Sequence, residues 1–161
     1  LFTQFSHFID ILYWLFGDIT DIQGKCADFN HAVITTCEDS GLITFRFMDG
    51  GGMGCLNYST AVWDTNLESS MTIIGSKGSV KIGGQYMDKV EYCHIQGYTM
   101  PELAPTNPAN DYGAYKGSAN NHGYIIDNVV DTLRGRTTLT TNALEGLKVV
   151  EIIERIYGLR K

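Results

Sequence analysis

The stretch LITFRFMDGGGMGCLNYST, residues 42–60, decides the fold class of this chain. Apolar and polar residues alternate over 42–47, and a second strand-like run covers 53–60. The residues between them, DGGG at 49–52, are a turn signal. Alternation with a period of two places successive side chains on opposite faces of a strand, and a glycine-rich turn joins neighbouring strands. The stretch therefore predicts an antiparallel β-hairpin.

Further strand patterns flank this hairpin. They cover residues 22–29, 67–74, 79–82 and 89–95. The segment GSKGS at 75–79 lies between two of them and predicts a turn, because a phosphate-binding loop needs the spacing GxxxxGK[ST] and a helix after it. No GxGxxG pattern follows a strand, so the sequence predicts no nucleotide-binding fold within this chain.

Three segments have the periodicity of amphipathic helices. They cover residues 3–16, 120 or 121 to 133, and 142–157. Thr3 is the predicted N-cap of the first helix and Gly17 its stop, and Asn142 with Glu145 forms a capping-box pattern at the third. The order helix, strands, loop, two helices predicts an α+β fold: a mostly antiparallel sheet of about six or more strands with helices on one face.

Composition narrows the class of protein. The chain has 161 residues, 43% of them hydrophobic, which is enough to bury the core of one domain. Its formal net charge of −6 argues against a nucleic-acid or anionic-membrane partner, since both need a basic surface. It contains no run of apolar residues long enough to span a bilayer. It opens with Leu1 inside a structural pattern, which predicts a fragment of a longer protein.

The four cysteines, Cys26, Cys37, Cys55 and Cys93, form no closely spaced pair. Zinc sites use such pairs, so we predict no metal site. Each cysteine lies in an apolar or strand-like stretch, which predicts buried, reduced thiols and a reducing compartment such as the cytoplasm.

His7 is the histidine whose neighbours suggest chemistry. Thr3 stands one helical turn before it and Asp10 three residues after it, so all three lie near one side of a helix. A histidine at the edge of an amphipathic helix is more often a boundary residue than a catalyst. Residue types alone therefore leave both interpretations of His7 open, and Asp10 is predicted to be structural.

Ordered motifs along nearly the whole chain resemble a known family. They are TQFSHFIDILYWLFG at 3–17, EDSG at 38–41, IGSKGSV at 74–80, EGLK at 145–148 and the closing Ile156-Tyr157. Together they resemble the C-terminal domain of the glucose–fructose oxidoreductase/inositol dehydrogenase/rhizopine-catabolism (Gfo/Idh/MocA) family, a fold similar to that of dihydrodipicolinate reductase. Many members carry an aspartate four residues before the helix histidine, where this chain has Thr3.

The resemblance implies a two-domain enzyme. Residues 1–161 would be its substrate-binding and oligomerisation domain, inactive alone. A Rossmann domain, absent from this chain, would bind NAD or NADP. His7 would exchange the proton of a sugar hydroxyl while hydride leaves the carbon, a task that suits imidazole because its reference pKa of about 6.5 lies near working pH. Members pair through an open sheet face, which implies a homodimer or homotetramer.

A narrower resemblance concerns the segment YKGSANNH at 115–122. It is similar to bacterial members that oxidise nucleotide sugars, such as the UDP-N-acetylglucosaminuronate 3-dehydrogenases. It closes an irregular stretch, 97–122, that contains all three prolines and is expected to contact the remote part of the substrate. The substrate-binding candidates are Thr3, Gln4, Tyr115, Ser118, Asn121 and His122. The alternative for the last two is that Asn120 and Asn121 only cap a helix and His122 is a surface residue.

Two other functions are compatible with the same family. One is an NAD-dependent glycosidase, which recycles its cofactor within one turnover. The other is a non-catalytic partner or regulatory member, with which Thr3 in place of aspartate would agree.

Overall fold

The computed structural model describes residues 1–113 and 116–160. In chain order the elements are α1 (Ser6–Phe16), β1 (Ile19–Ala27), β2 (Ser40–Phe47), β3 (Met53–Ser59), β4 (Met71–Gly75), β5 (Gly78–Gly83), β6 (Lys89–Ile95), β7 (Ala109–Asp111), β8 (Lys116–Ala119), α2 (His122–Leu133) and α3 (Ala143–Tyr157). The chain forms two compact units. Unit 1 is Leu1–Val62 together with the chain from Thr140 onward, and unit 2 is Trp63–Leu139.

Unit 1 is built on the predicted hairpin. β2 pairs antiparallel with β3 and with β1, so that Ile43 lies between Gly24 and Leu56 in the sheet. The turn between β2 and β3 places Gly50 at φ +80° and Gly51 at φ +65°, a left-handed conformation in which glycine carries no penalty. The hairpin prediction is confirmed.

Helices α1 and α3 pack together, and α3 also contacts β1. The alternation of the strands decides which side chains meet the helices: Ile43 and Phe45 are buried, whereas Leu42, Thr44 and Arg46 are exposed. The core of unit 1 consists of Leu1, Ile9, Ile19, Ile43, Phe45, Tyr58, Val149, Ile152, Ile153 and Ile156. Helices thus cover one face of this sheet, as the α+β pattern predicted.

Two glycines make room for aromatic rings inside this core. A Cβ atom on Gly41 would lie 2.4 Å from the ring of Tyr58, and one on Gly54 would lie 2.5 Å from the ring of Phe45. Both distances are far below van der Waals contact. The rings of Tyr58 and Phe45 therefore lie against the backbone of the neighbouring strand.

Unit 2 contains a three-stranded antiparallel sheet in the order β4-β5-β6, the two-stranded pair β7-β8, and α2. The tyrosine hydroxyl of Tyr86 donates a hydrogen bond to the carbonyl of Lys116 and so fixes the start of β8. Helix α2 is amphipathic in sequence but has no buried residue. Its apolar side chains Ile125, Ile126 and Leu133 are exposed.

The α+β prediction is confirmed, but the strands are divided among three sheets instead of one. Strand patterns predict that strands exist, whereas the partners of distant strands depend on tertiary packing. The stretch predicted as a continuous loop contains β7 and β8, which lack the β-branched alternation of ordinary strands. The prediction of buried thiols is wrong for Cys37 and Cys55, which are exposed, and all four cysteines are free.

The first helix also begins later than predicted. The backbone N–H of Phe5 donates to the carbonyl of Leu1 at 2.9 Å, which closes a separate turn before α1. The N-cap residue is Phe5, which makes no side-chain cap, so the assignment of Thr3 as N-cap was wrong. Gly17 ends the helix as expected, at φ 75°. Within the described part of the chain, no helix is both long and apolar enough to cross a membrane.

Candidate functional site

The candidate site in unit 1 begins with the turn before α1, residues Leu1–Phe5, which we call the leading turn. The Leu1 side chain is buried in the core, and the Phe5–Leu1 backbone hydrogen bond closes the turn. Thr3 and Gln4 lie in the middle of this turn and are exposed. Because the Thr3 hydroxyl makes no helix cap, it stays on the surface with the Gln4 amide.

His7 lies in the first turn of α1 and is exposed, as is Asp10. The helix is held from its other side by Ile9, which is 1% exposed. A surface imidazole next to a buried anchor can exchange a proton with a bound ligand while its backbone stays fixed. Three of the predicted site residues, Thr3, Gln4 and His7, therefore face solvent at one end of α1.

A buried polar cluster supports the leading turn. We call it the Glu38 cluster; it consists of Glu38, Tyr58, Tyr157 and Arg160. The Tyr58 hydroxyl donates to Glu38 Oε1 at 3.2 Å, and an Arg160 guanidinium nitrogen lies 3.0 Å from Glu38 Oε2. The Glu38 side chain is only 2% exposed.

The cluster raises the pKa of both of its phenols. Burial raises the pKa of Tyr58, and contact with Cys26 and Glu38 raises it further. Burial and Glu38 likewise raise the pKa of Tyr157. The cluster therefore places two neutral phenols beside the paired Glu38 carboxylate and Arg160 guanidinium.

Asp39, the next residue, fixes the loop after β1. Its Oδ2 accepts hydrogen bonds from the backbone N–H of Phe29 at 3.0 Å and of Asn30 at 2.8 Å, and lies 3.1 Å from His31 Nδ1. Burial raises the pKa of Asp39, but these donors and the Ser40 hydroxyl together hold it well below its usual range. The His31 side chain is thus held by Asp39.

Asp28, His31 and Asp39 bring three possible ligand atoms within 4.8 Å of one another. The geometry favours loop anchoring over metal binding, because backbone N–H groups and the imidazole already occupy Asp39 Oδ2. Asp28 also accepts a hydrogen bond, from the backbone N–H of His31 at 2.8 Å.

The candidate residues of unit 2 are organised by asparagines. The Asn107 side-chain amide donates to Asn121 Oδ1 at 2.9 Å and to the Asn120 carbonyl at 3.2 Å. The Asn110 amide donates to the carbonyl of Ser118 at 3.2 Å. Ser118, Asn121 and His122 are exposed, and Tyr115 lies outside the described residues.

Asn121 occupies the N-cap position of α2 but makes no side-chain cap. Its oxygen is engaged with Asn107 instead. The alternative in which Asn121 caps the helix with its side chain is therefore wrong. The first turn of α2 contains no acidic residue.

The face of the β1-β2-β3 sheet turned away from the helices is open. Leu42 is 55% exposed and Met53 is 75% exposed on it. An open groove of about 620 Å³ crosses its end, lined by Lys25, Phe29, Ser40, Asn57 and Ser59 among others. This face therefore carries both apolar and polar side chains.

The predicted site residues thus fall into two groups, one on each unit. Thr3, Gln4 and His7 lie on unit 1, and Ser118, Asn121 and His122 lie on unit 2. The sequence analysis missed the supporting residues Glu38, Tyr157 and Asn107. The EDSG motif could have indicated Glu38. No local sequence pattern, however, links Tyr157 to the leading turn or Asn107 to the start of α2.

Comparison with known proteins identifies related sequences and folds. Residues 1–81 match the family model described as the GFO/IDH/MocA C-terminal domain. Among curated proteins, none matches the chain.

Three solved structures are similar to nearly the whole chain. The WlbA dehydrogenase from Bordetella pertussis, in complex with NADH and UDP-GlcNAcA, is 28% identical with a TM-score of 0.75, over 97% of this chain and 40% of that one. The Chromobacterium violaceum WlbA dehydrogenase, with the same two ligands, is 27% identical with a TM-score of 0.75, over 98% of this chain and 42% of that one. A putative oxidoreductase from Bacteroides fragilis is 18% identical with a TM-score of 0.63, over 98% of this chain and 49% of that one. At this identity the similarity supports the fold alone. The chain thus spans less than half the length of these proteins.

Proposed function

The chain belongs to the GFO/IDH/MocA C-terminal domain family, and from this premise we propose that it is the substrate-binding and oligomerisation domain of a longer NAD(P)-dependent dehydrogenase. The proposed substrate is a sugar or nucleotide sugar, one hydroxyl of which is oxidised by hydride transfer. The observation that carries the proposal is the similarity, over 97% and 98% of the chain, to two dehydrogenases crystallised with NADH and UDP-GlcNAcA.

His7 is the proposed acid–base catalyst. It is exposed on α1 while Ile9 anchors the same helix in the core, so its imidazole is available to a ligand from a fixed backbone. In the oxidation, His7 accepts the hydroxyl proton as the C–H bond breaks and a carbonyl forms. The nicotinamide cofactor supplies the acceptor for the hydride. Thr3 and Gln4 offer a hydroxyl and an amide that hydrogen-bond the sugar beside the reacting carbon.

The residues of unit 2 are proposed to contact the remote part of the substrate. Ser118, Asn121 and His122 are exposed, and Tyr115 is included by sequence. Helix α2 begins without a side-chain cap at Asn121, so the first-turn N–H groups suit an anionic substituent such as a pyrophosphate or a uronate carboxylate. Asn107 holds Asn121 from behind, which leaves the Asn121 amide nitrogen for a ligand.

The cofactor is proposed to bind outside this chain. Dinucleotides bind at a parallel strand–helix–strand unit with a glycine-rich turn, whereas the strand pairs of the described residues are all antiparallel. The described residues therefore do not fit NAD or NADP, and we assign no cofactor contact to them. A nucleotide-binding domain elsewhere in the longer protein would supply the site and the choice between the two cofactors.

The open face of the β1-β2-β3 sheet is the proposed self-association surface. Its exposed Leu42 and Met53 are apolar, and exposed apolar side chains that lie together often mark an interface. The expected assembly is a homodimer or homotetramer, which light scattering of dilute protein would detect. The four free cysteines agree with a reducing compartment such as the cytoplasm.

The deciding experiment is an oxidation assay of the complete protein with NAD⁺ or NADP⁺ and UDP-GlcNAcA. A dehydrogenase forms one reduced cofactor for each carbonyl produced. A glycosidase of the same family releases product without net formation of reduced cofactor, and a non-catalytic member gives neither signal. The absence of reduced cofactor with a panel of nucleotide sugars and free sugars would contradict the proposal.

A further inference from the structure

The Glu38 cluster has no part in the proposed proton transfer. Glu38 and Asp39 are nevertheless the two most buried carboxylates among the ion pairs of the described residues. The Glu38 and Asp39 side chains are each 2% exposed. A buried carboxylate is costly unless donors and positive charge surround it. Glu38 has such surroundings: the Tyr58 hydroxyl at 3.2 Å and Arg160 at 3.0 Å.

Two members of the cluster also touch the leading turn directly. The hydroxyl of Tyr157, the last residue of α3, accepts a hydrogen bond from the backbone N–H of Phe2 at 3.1 Å. The ring of Tyr58 packs on the ring of Phe5 with centroids 4.8 Å apart. The turn is therefore held near both of its ends, at Phe2 and Phe5, and the residues between those two contacts are Thr3 and Gln4.

We propose that Glu38, acting through Tyr58, and Tyr157, acting on Phe2, are positioning residues that fix Thr3 and Gln4 relative to His7 for substrate binding. The inference rests on the proposed function for its substrate and on the hydrogen bonds above for its mechanism. Glu38 accepts a hydrogen bond from the Tyr58 hydroxyl and so orients the ring that packs on Phe5, while the Tyr157 hydroxyl holds Phe2. Thr3 and Gln4 themselves need no contact with the cluster, because the backbone on either side of them is fixed.

The first test removes one hydroxyl and keeps its ring. In the complete enzyme, Tyr157→Phe should raise the hydrogen-exchange rate of the Phe2 amide about tenfold, the effect of losing one hydrogen bond. The KM for the nucleotide sugar should rise about threefold to tenfold for the same reason, while the KM for the cofactor stays unchanged. Tyr92→Phe, which deletes the hydroxyl of an exposed tyrosine on β6, is the matched control and should change neither value.

The second test addresses Glu38 itself. Glu38→Gln keeps an oxygen that accepts a hydrogen bond from Tyr58, whereas Glu38→Met keeps only the length of the side chain. We expect the KM for the nucleotide sugar to rise in the order wild type, Glu38→Gln, Glu38→Met, with partial rescue by glutamine. The contrary result is that both variants lower the melting temperature equally while the folded protein keeps the wild-type KM. That result would mean that Glu38 only stabilises the fold.

The outcomes separate this inference from the proposed function. If the wild-type enzyme oxidises no sugar, the proposed function fails, and the Phe2 exchange rate alone decides whether Tyr157 holds the leading turn. If the enzyme is active but Tyr157→Phe matches Tyr92→Phe in both exchange and KM, the positioning role of the cluster is overturned while the dehydrogenase stands.

Discussion

Unit 1 and unit 2 differ in how they bury apolar side chains. Among the described residues, every buried hydrophobic side chain belongs to unit 1, from Leu1 to Ile156. In unit 2 no residue of α2 is buried, and the only buried residue described there is Gly83. Unit 1 is therefore held by a packed core, whereas unit 2 is held mainly by the backbone hydrogen bonds of its hairpins.

The two groups of proposed site residues differ in the same way. A proton-transfer residue needs a fixed backbone, and His7, the proposed one, lies on a helix anchored by Ile9 in the packed unit. Residues that recognise the variable part of a substrate are more often on less packed segments, and the proposed contacts Ser118, Asn121 and His122 lie on such segments. Each prediction below tests one consequence of the contrast.

The largest expected effect is on turnover. In the complete enzyme, His7→Ala should lower kcat by about 10²–10⁴-fold, the usual contribution of a general acid–base group. His122→Ala on unit 2 should instead raise the KM for the nucleotide sugar and leave kcat nearly unchanged. His7→Asn keeps a polar side chain without titration, so full turnover and an unaltered pH profile in that variant would remove His7 from the mechanism.

The next effect is on stability. Ile153→Ala deletes a side chain that is 1% exposed in the core of unit 1 and should lower the free energy of unfolding by about 2–5 kcal/mol. Ile126→Ala on α2, where the side chain is 62% exposed, should change it by no more than about 0.5 kcal/mol. Denaturant titration of both variants checks this. Similar losses would mean that α2 has a packing partner and would break the contrast.

A smaller effect distinguishes two asparagines at helix starts. Asn142 accepts hydrogen bonds from the backbone N–H groups of Leu144 and Glu145, and Glu145 completes a capping box. Asn142→Ala should therefore cost about 0.5–2 kcal/mol of stability. Asn121 caps nothing with its side chain and makes only the exposed hydrogen bond with Asn107, so Asn121→Ala should cost less stability than Asn142→Ala. It should raise the KM for a nucleotide sugar but not for a free sugar. An equal effect on both substrates would remove the nucleotide-sugar assignment.

The smallest effect near neutral pH concerns two carboxylates with lowered pKa. Burial raises the pKa of Asp39, but the surrounding hydrogen-bond donors outweigh burial and lower it overall. In unit 2, a hydrogen bond from Lys81 lowers the pKa of Glu91. A carboxylate with a lowered pKa stabilises the folded state above its unfolded pKa, about 3.9 for aspartate. This contribution is lost as the pH falls from there through the folded pKa.

Unfolding measured between pH 5 and pH 2 should therefore show a loss of stability that Asp39→Asn makes shallower. The Lys81–Glu91 pair, 2.6 Å apart and about one third exposed, should lose its contribution in high salt, whereas the Asp39 contribution should persist. The 2% exposure of the Asp39 side chain implies that it is shielded from salt. Equal loss of both contributions in high salt would contradict this.

Local signals in the sequence predicted the elements whose causes are local. The β2–β3 hairpin follows from alternation and Gly50-Gly51, and the start of α3 follows from Asn142 and Glu145. The start of α1 was misplaced because a backbone hydrogen bond from Phe5 to Leu1 replaced the Thr3 cap. The division into three sheets was not predictable, because it depends on pairings between strands far apart in the chain.

The same distinction applies to the site. The motif around His7 and the YKGSANNH segment supplied the proposed site residues, and those that the structure describes are exposed. The support for those side chains comes from residues distant in sequence: Tyr157 reaches Phe2, and Asn107 reaches Asn121. Such contacts leave no periodic or spacing signal.

The close approach of Gly41 to Tyr58 links two positions in evolution. Any side chain at position 41 would collide with the ring of Tyr58, and that ring packs on Phe5 while its hydroxyl donates to Glu38. Position 41 is therefore free to vary only in sequences where position 58 has lost its aromatic ring. Across diverged relatives the two positions should change together, and a lineage that gives up the Gly–Tyr pair should have rebuilt the support of the leading turn by other means.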